Sequence, residues 1–212
     1  MTLSSEPAAG SWILLAGPRS MNATMLVAIA RLGQQGALRV LDCGNRFNAY
    51  TVARAARGRP EVLNRITVSR AFTCYQVLSA LEGTPASRAA TVVLDMLSTF
   101  YDESVQGRER RRLLQVCITH LGRLERDGAP TAPCLPAGEG CVSMTAANRG
   151  VLPSFFYGEA AQESPPRLMV SVHPPAVPSR QAMELMELLQ SSTLGTFFVQ
   201  PAASAAQPKR LF

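Results

Sequence analysis

The sequence predicts an α/β fold with a mostly parallel, helix-flanked central sheet. Short apolar runs of strand length recur along the chain and alternate with runs of helical period, which is the pattern of strand–helix crossovers. The strand runs are almost continuously apolar, as in Trp12-Ile13-Leu14-Leu15-Ala16, so both faces of the sheet are expected to be covered. The chain of 212 residues, 47% hydrophobic and 17% charged, has a globular balance. A chain of this length buries about 70% of the surface its unfolded form exposes.

Residues 1–10 are small and polar and read as a loose lead-in, residues 11–199 as one domain, and the Ala/Pro/Gln-rich residues 200–212 as a flexible tail. The first strand, 12–16, breaks at Gly17-Pro18 and is followed by a helix from about Asn22 to Gln34. A second strand over Ala37–Asp42 leads into a turn at Cys43-Gly44-Asn45. A helix over Asn48–Arg57 ends at Gly58 and Pro60. Arg65–Ser69 is β-branched and alternating, a third strand, and Phe72–Leu81 a helix closed by Gly83-Thr84-Pro85. Thr91–Asp95 is a fourth strand ending on a carboxylate.

After a loop at 95–107, Leu113, Cys117, Leu121 and Leu124 mark one apolar face of a long helix from about Gln106. Cys141–Met144 reads as a fifth strand and Asn148–Pro166 as a long loop. Arg167–Val172 is a sixth strand, Ser179–Gln190 a helix and Thr196–Val199 a final strand. In such sheets the ligand site lies at the carboxyl ends of the strands, where the loops at 17–24, 42–47, 95–107 and 145–165 should meet.

Composition excludes several classes. No apolar run approaches the ~18 residues of a membrane span, so no membrane partner is expected. No positive charge precedes Arg19 and the apolar run is short, so no secretory leader is expected, and the unpaired cysteines read as reduced thiols of a cytoplasmic protein. The five cysteines form no CxxC pair, and with His120 and His173 they show no metal-ligand spacing, so reduced thiols and no metal are expected. The formal charge is +6, and of 21 basic residues only Lys209 is lysine. Arginine suits bidentate phosphate contacts and base stacking, although a GC-rich genome produces the same excess.

The first strand–turn–helix has the setting of a phosphate-binding loop, GxxxxGK[ST]. On that pattern Gly17 is the first glycine and Thr24 the hydroxyl, while Asn22 replaces the second glycine and Ala23 the lysine. Arg19 lies within the loop as a substitute cation, and Asn22 tolerates the positive φ such a turn uses. Thr24 and Asp95 are the pair that would hold magnesium, so weak ATP/Mg binding is the most that is expected.

Three further segments carry a resemblance. The stretches VLDCGNRF (40–47), ITVSRAFTCYQVLSAL (66–81) and TVVLDMLSTFYDESVQGRERRRLLQVCITHLGRL (91–124) follow the 17–24 loop in order. Together they resemble the core of the RecA/RadA/Rad-type recombinase family over most of residues 11–150. The resemblance implies a RecA-like core, with Asp95 as the magnesium-associated carboxylate. It also places the water-activating glutamate of that family at Gly44. With neither the lysine nor that glutamate, the resemblance implies a non-hydrolysing paralogue and no catalytic residues, because charge stabilisation and water activation are separate contributions.

The family holds single-stranded DNA with two loops. The first corresponds here to Tyr101–Arg112, whose Arg108, Arg110, Arg111 and Arg112 would meet phosphate. The second corresponds to about Thr145–Ser164, with Arg149 beside Phe155 and Phe156 for base stacking. A solvated helix face and core packing are the plain alternatives for these two groups. A second basic zone comprises Arg46, Arg54, Arg57, Arg59, Arg65 and Arg70. The tail ends Gln207-Pro208-Lys209-Arg210-Leu211-Phe212, and Gln207, Leu211 and Phe212 are similar to peptides that dock in sliding clamps.

The expected function is thus an accessory protein of DNA recombination or repair. It would bind single-stranded DNA, a recombinase, a repair polymerase or a sliding clamp, with self-assembly open. The rivals are an ATPase with an atypical phosphate loop and a scaffold that binds no DNA.

Overall fold

The computed structural model describes residues 10–127 other than 86 and 88, residues 168–175 and residues 178–198. Six strands form one sheet: β1 (Gly10–Ala16), β2 (Leu38–Asp42), β3 (Ile66–Arg70), β4 (Ala90–Leu94), β5 (Leu168–Val172) and β6 (Thr193–Phe198). Their order is β3-β2-β4-β5-β1-β6, and every pairing is parallel. The expected strand at 141–144 and loop at 148–166 lie outside the described residues.

Parallel strands need crossovers, and the described ones are helical. They are α1 (Asn22–Gln35), α2 (Ala49–Ala55), α3 (Glu61–Asn64), α4 (Cys74–Gly83), α5 (Gly107–Asp127) and α6 (Arg180–Ser191). Two-residue alternation along the strands divides the core. Trp12, Leu14 and Ala16 point to the face covered by α4, α5 and α6, together with Val93, Val170 and Val172. Leu15 points to the face covered by α1, α2 and α3, with Val40, Val92 and Met169. On α5 the stripe Leu113, Cys117, Leu121 and Leu124 is buried, as its spacing requires.

The boundaries depart from expectation for local reasons. The second helix is shorter than 48–57: Asn48 caps it by accepting from the Thr51 N–H, and Arg57 and Gly58 turn left-handed, with φ of 52° and 77°. The four-residue α3 was not expected. It packs on α1, where a Cβ on Gly33 would stand 2.8 Å from Val62 Cγ1. Within the expected 95–107 loop, Met96–Phe100 form a 3-10 helix whose Met96, Leu97 and Phe100 are buried. The third strand is an edge strand, with Thr67, Val68, Ser69 and Arg70 all exposed. Among the described residues, no helix is long and apolar enough to cross a membrane.

Candidate functional site

The carboxyl ends of β1, β2, β4 and β5 converge on a cluster of charged and polar groups. The Gly17 N–H donates to the Val172 carbonyl at 3.2 Å, which ties the loop after β1 to the end of β5. Arg19–Met21 then make one 3-10 turn, in which the Met21 N–H donates to Pro18 O and the Asn22 N–H to Arg19 O. Asn22 is right-handed helical, with φ −55°, not the positive φ that would open the loop. A phosphate loop works by aiming free N–H groups inward. Here two of those amides are spent on the turn. Met21 is buried, Arg19 and Ala23 are exposed, and Thr24 stands on the first turn of α1.

Asp42, at the end of β2, shapes the following turn. One carboxylate oxygen accepts from the Arg46 N–H at 2.8 Å and the other from the Phe47 N–H at 3.0 Å. The Arg70 guanidinium lies 3.6 Å away. Within this turn Asn45 has φ 53°, a region asparagine tolerates better than most residues.

Asp95 is the centre of the cluster. It is buried and itself left-handed (φ 52°, ψ 50°), and its N–H donates to Ser171 Oγ at 3.0 Å. Arg46 Nε donates to its Oδ2 at 3.1 Å. His173 Nδ1 lies 3.0 Å from Oδ1, close enough for an ion pair but out of line for a hydrogen bond. Burial pushes the Asp95 carboxyl up, and His173 and Arg46 outweigh it, holding the group below its ordinary value. Asn22 Nδ2 donates to the Arg46 carbonyl at 3.1 Å, so the loop after β1 is joined to the same cluster. Tyr101 donates its hydroxyl proton to the His173 carbonyl at 3.2 Å, and burial with the Asp95 charge pushes its phenol up.

Two consequences follow for the nucleotide residues read from sequence. Asp95 faces two side chains that can carry positive charge, and giving it to a magnesium ion would strip Arg46 of its partner. A Cβ on Gly44 would stand 2.5 Å from Asp95 Oδ2, so the glycine is a packing requirement of the cluster. Among the described residues, no group of three His, Cys, Asp or Glu side chains is placed to hold a metal ion.

The four arginines at the start of α5 separate. Arg110 is buried and points inward, donating to the Phe100 carbonyl at 3.1 Å and to Gln181 Oε1 on α6. It is therefore turned away from any strand lying on the surface. Arg108, Arg111 and Arg112 are exposed, and Arg112 also makes a two-pronged contact with Glu109 at 3.0 and 3.1 Å. Arg149, Phe155, Phe156, Gln207, Leu211 and Phe212 lie outside the described residues.

Asn22 and Asp95, read from sequence as parts of a degenerate nucleotide site, lie in this cluster, and their partners there carry no such reading. Arg46 was read as part of a basic surface and His173 only as an unsuited metal ligand. A positional signal exists: His173 directly follows the apolar run 168–172, much as Asp95 follows 90–94. No protein-family model matches the chain, and no curated protein matches it.

Proposed function

We propose that this chain is a RecA-like accessory protein that binds single-stranded DNA without hydrolysing ATP, acting in recombination or repair. The observation that carries the reading is the exposed Arg108, Arg111 and Arg112 on the first turns of α5, at the carboxyl edge of a parallel sheet. Three guanidiniums there suit phosphates of a flexible strand. The absence of hydrolysis is supported by the loop after β1 closing as a 3-10 turn. The Asp95 carboxylate held by Arg46, and the lack of room for a side chain at position 44, support it further.

The test is fluorescence anisotropy of a labelled single strand over a salt series, with and without Mg-ATP. Three phosphate contacts give a slope of log affinity against log salt of about −2. The triple variant R108A/R111A/R112A should lose most of that slope, and Mg-ATP should change nothing. Absence of binding at low salt, or a variant equal to the wild type, overturns the reading.

A further inference from the structure

Two aromatic side chains stand in solvent at the same carboxyl edge, on residues that the nucleotide and arginine readings leave unused. Phe72 is 68% exposed and Tyr75 51% exposed. Aromatic side chains dominate core burial when they can reach it, so two neighbouring rings left outside need a reason. The backbone beneath them is fixed. Thr73 caps α4 by accepting from the Gln76 N–H at 3.2 Å, and Gln76 Oε1 accepts from the Phe72 N–H at 2.8 Å. In many helix starts the residue in the place of Phe72 folds onto the one in the place of Val77. Val77 is fully buried here, while Phe72 stays out. The rings are displayed on a rigid turn.

Two arginines stand near them, and each keeps an exposed guanidinium although Arg70 lies 3.6 Å from Asp42 and Arg112 pairs with Glu109. Arg70 stands two residues before Phe72 with its side chain about half exposed. Arg112, on α5, lies within electrostatic reach of the Tyr75 phenol and is 69% exposed despite its contact with Glu109. Aromatic faces flanked by arginine are the construction that binds single strands without reading sequence, because every base has a π-face and every nucleotide a phosphate. A duplex keeps its base faces stacked and cannot offer them.

We propose that Phe72 and Tyr75 form a base-stacking platform for single-stranded nucleic acid, with Arg70 and Arg112 holding the phosphates on either side. This rests on the reading that the chain binds single strands, and it states where the bases go.

The test compares an oligo-dT with a fully abasic strand of equal length, which keeps the phosphates and removes the stacking faces. The wild type should bind oligo-dT about tenfold or more tightly than the abasic strand. The variant F72A/Y75A should lose that preference while keeping the salt slope, whereas R108A/R111A should lose slope and keep the preference. As a check independent of any variant, a bromodeoxyuridine strand irradiated with the wild type should crosslink within residues 70–76. Wild-type binding with no preference for bases, a preference that survives F72A/Y75A, or crosslinks confined elsewhere overturns the platform and leaves strand binding standing. No wild-type binding to either strand overturns both. An apolar or acidic protein that binds this face and competes with no nucleic acid overturns the platform as well.

Discussion

Arg110 and Arg111 are neighbours with opposite roles, and periodicity alone separates them. A helix turns about 100° per residue, so one side chain enters the α5–α6 junction while the next faces water. Arg110→Ala should cost about 1–3 kcal/mol, because the Phe100 carbonyl and Gln181 lose their donor. Arg111→Ala should stay within about 0.5 kcal/mol of wild type, and on the proposed reading its effect falls on strand binding. Thermal melts beside the anisotropy series check both. Asp95 gives a second contrast. Its pKa is depressed in the folded chain, so its contribution is present above the unfolded value of about 3.9 and is lost as pH falls through the lower folded one. The urea midpoint of the wild type should therefore drop below about pH 4. Asp95→Asn should start lower by about 2–4 kcal/mol at pH 7, with Arg46 left unpaired, and show a shallower acid limb. A midpoint unchanged in the variant at pH 7 would show that the cluster contributes nothing to stability.

At the scale of the element, what could be read from sequence depended on how local the cause was. Most strands were legible because they are short apolar runs set by their own residues, β3 because its β-branched residues alternate, and α5 because its stripe repeats over many turns, whereas β6 begins at Thr193, three residues before the expected Thr196. The four residues of α3 are too few to show a period, and Met96–Phe100 read as loop because their three-residue repeat belongs to neither a strand nor an α-helix. That β3 is an edge strand depends on its neighbours and cannot be seen in its own five residues. The site followed the same rule. Asp95 ends a legible strand, but Arg46 is 49 residues away and only the sheet brings it close. The stripe of α5 also makes a chemical prediction. Burial pushes the Cys117 thiol up to about 12, and raises Cys43 well above its ordinary value. With Cys134 and Cys141 replaced by serine, the native protein should leave Ellman's reagent unreacted at pH 8, and three thiols should appear on unfolding. Prompt native labelling would contradict the packing of α5 on the sheet.

For the whole molecule, the sheet gathers the polar cluster of Asp42, Arg46, Asp95 and His173 at the carboxyl ends of its strands while two apolar layers cover its faces. Its strand order has a further consequence, and it concerns time. β1 is made first, yet both its neighbours, β5 and β6, come from residues 168–172 and 193–198. During synthesis β2, β3 and β4 can pair as soon as they emerge, whereas β1 must wait for about 150 residues at ~5–20 residues per second. Until then Trp12, Leu14 and Leu15 have no sheet to enter, and closing so long a loop is slow. A chain halted after residue 127 should therefore form aggregates rather than a smaller stable sheet, as sedimentation of the truncated product would show. Its aggregation should fall when Leu14 and Leu15 are replaced by polar residues. A soluble, cooperatively melting 1–127 fragment would contradict this. In such a protein β1 stays exposed while the roughly 150 residues that separate it from β5 are made.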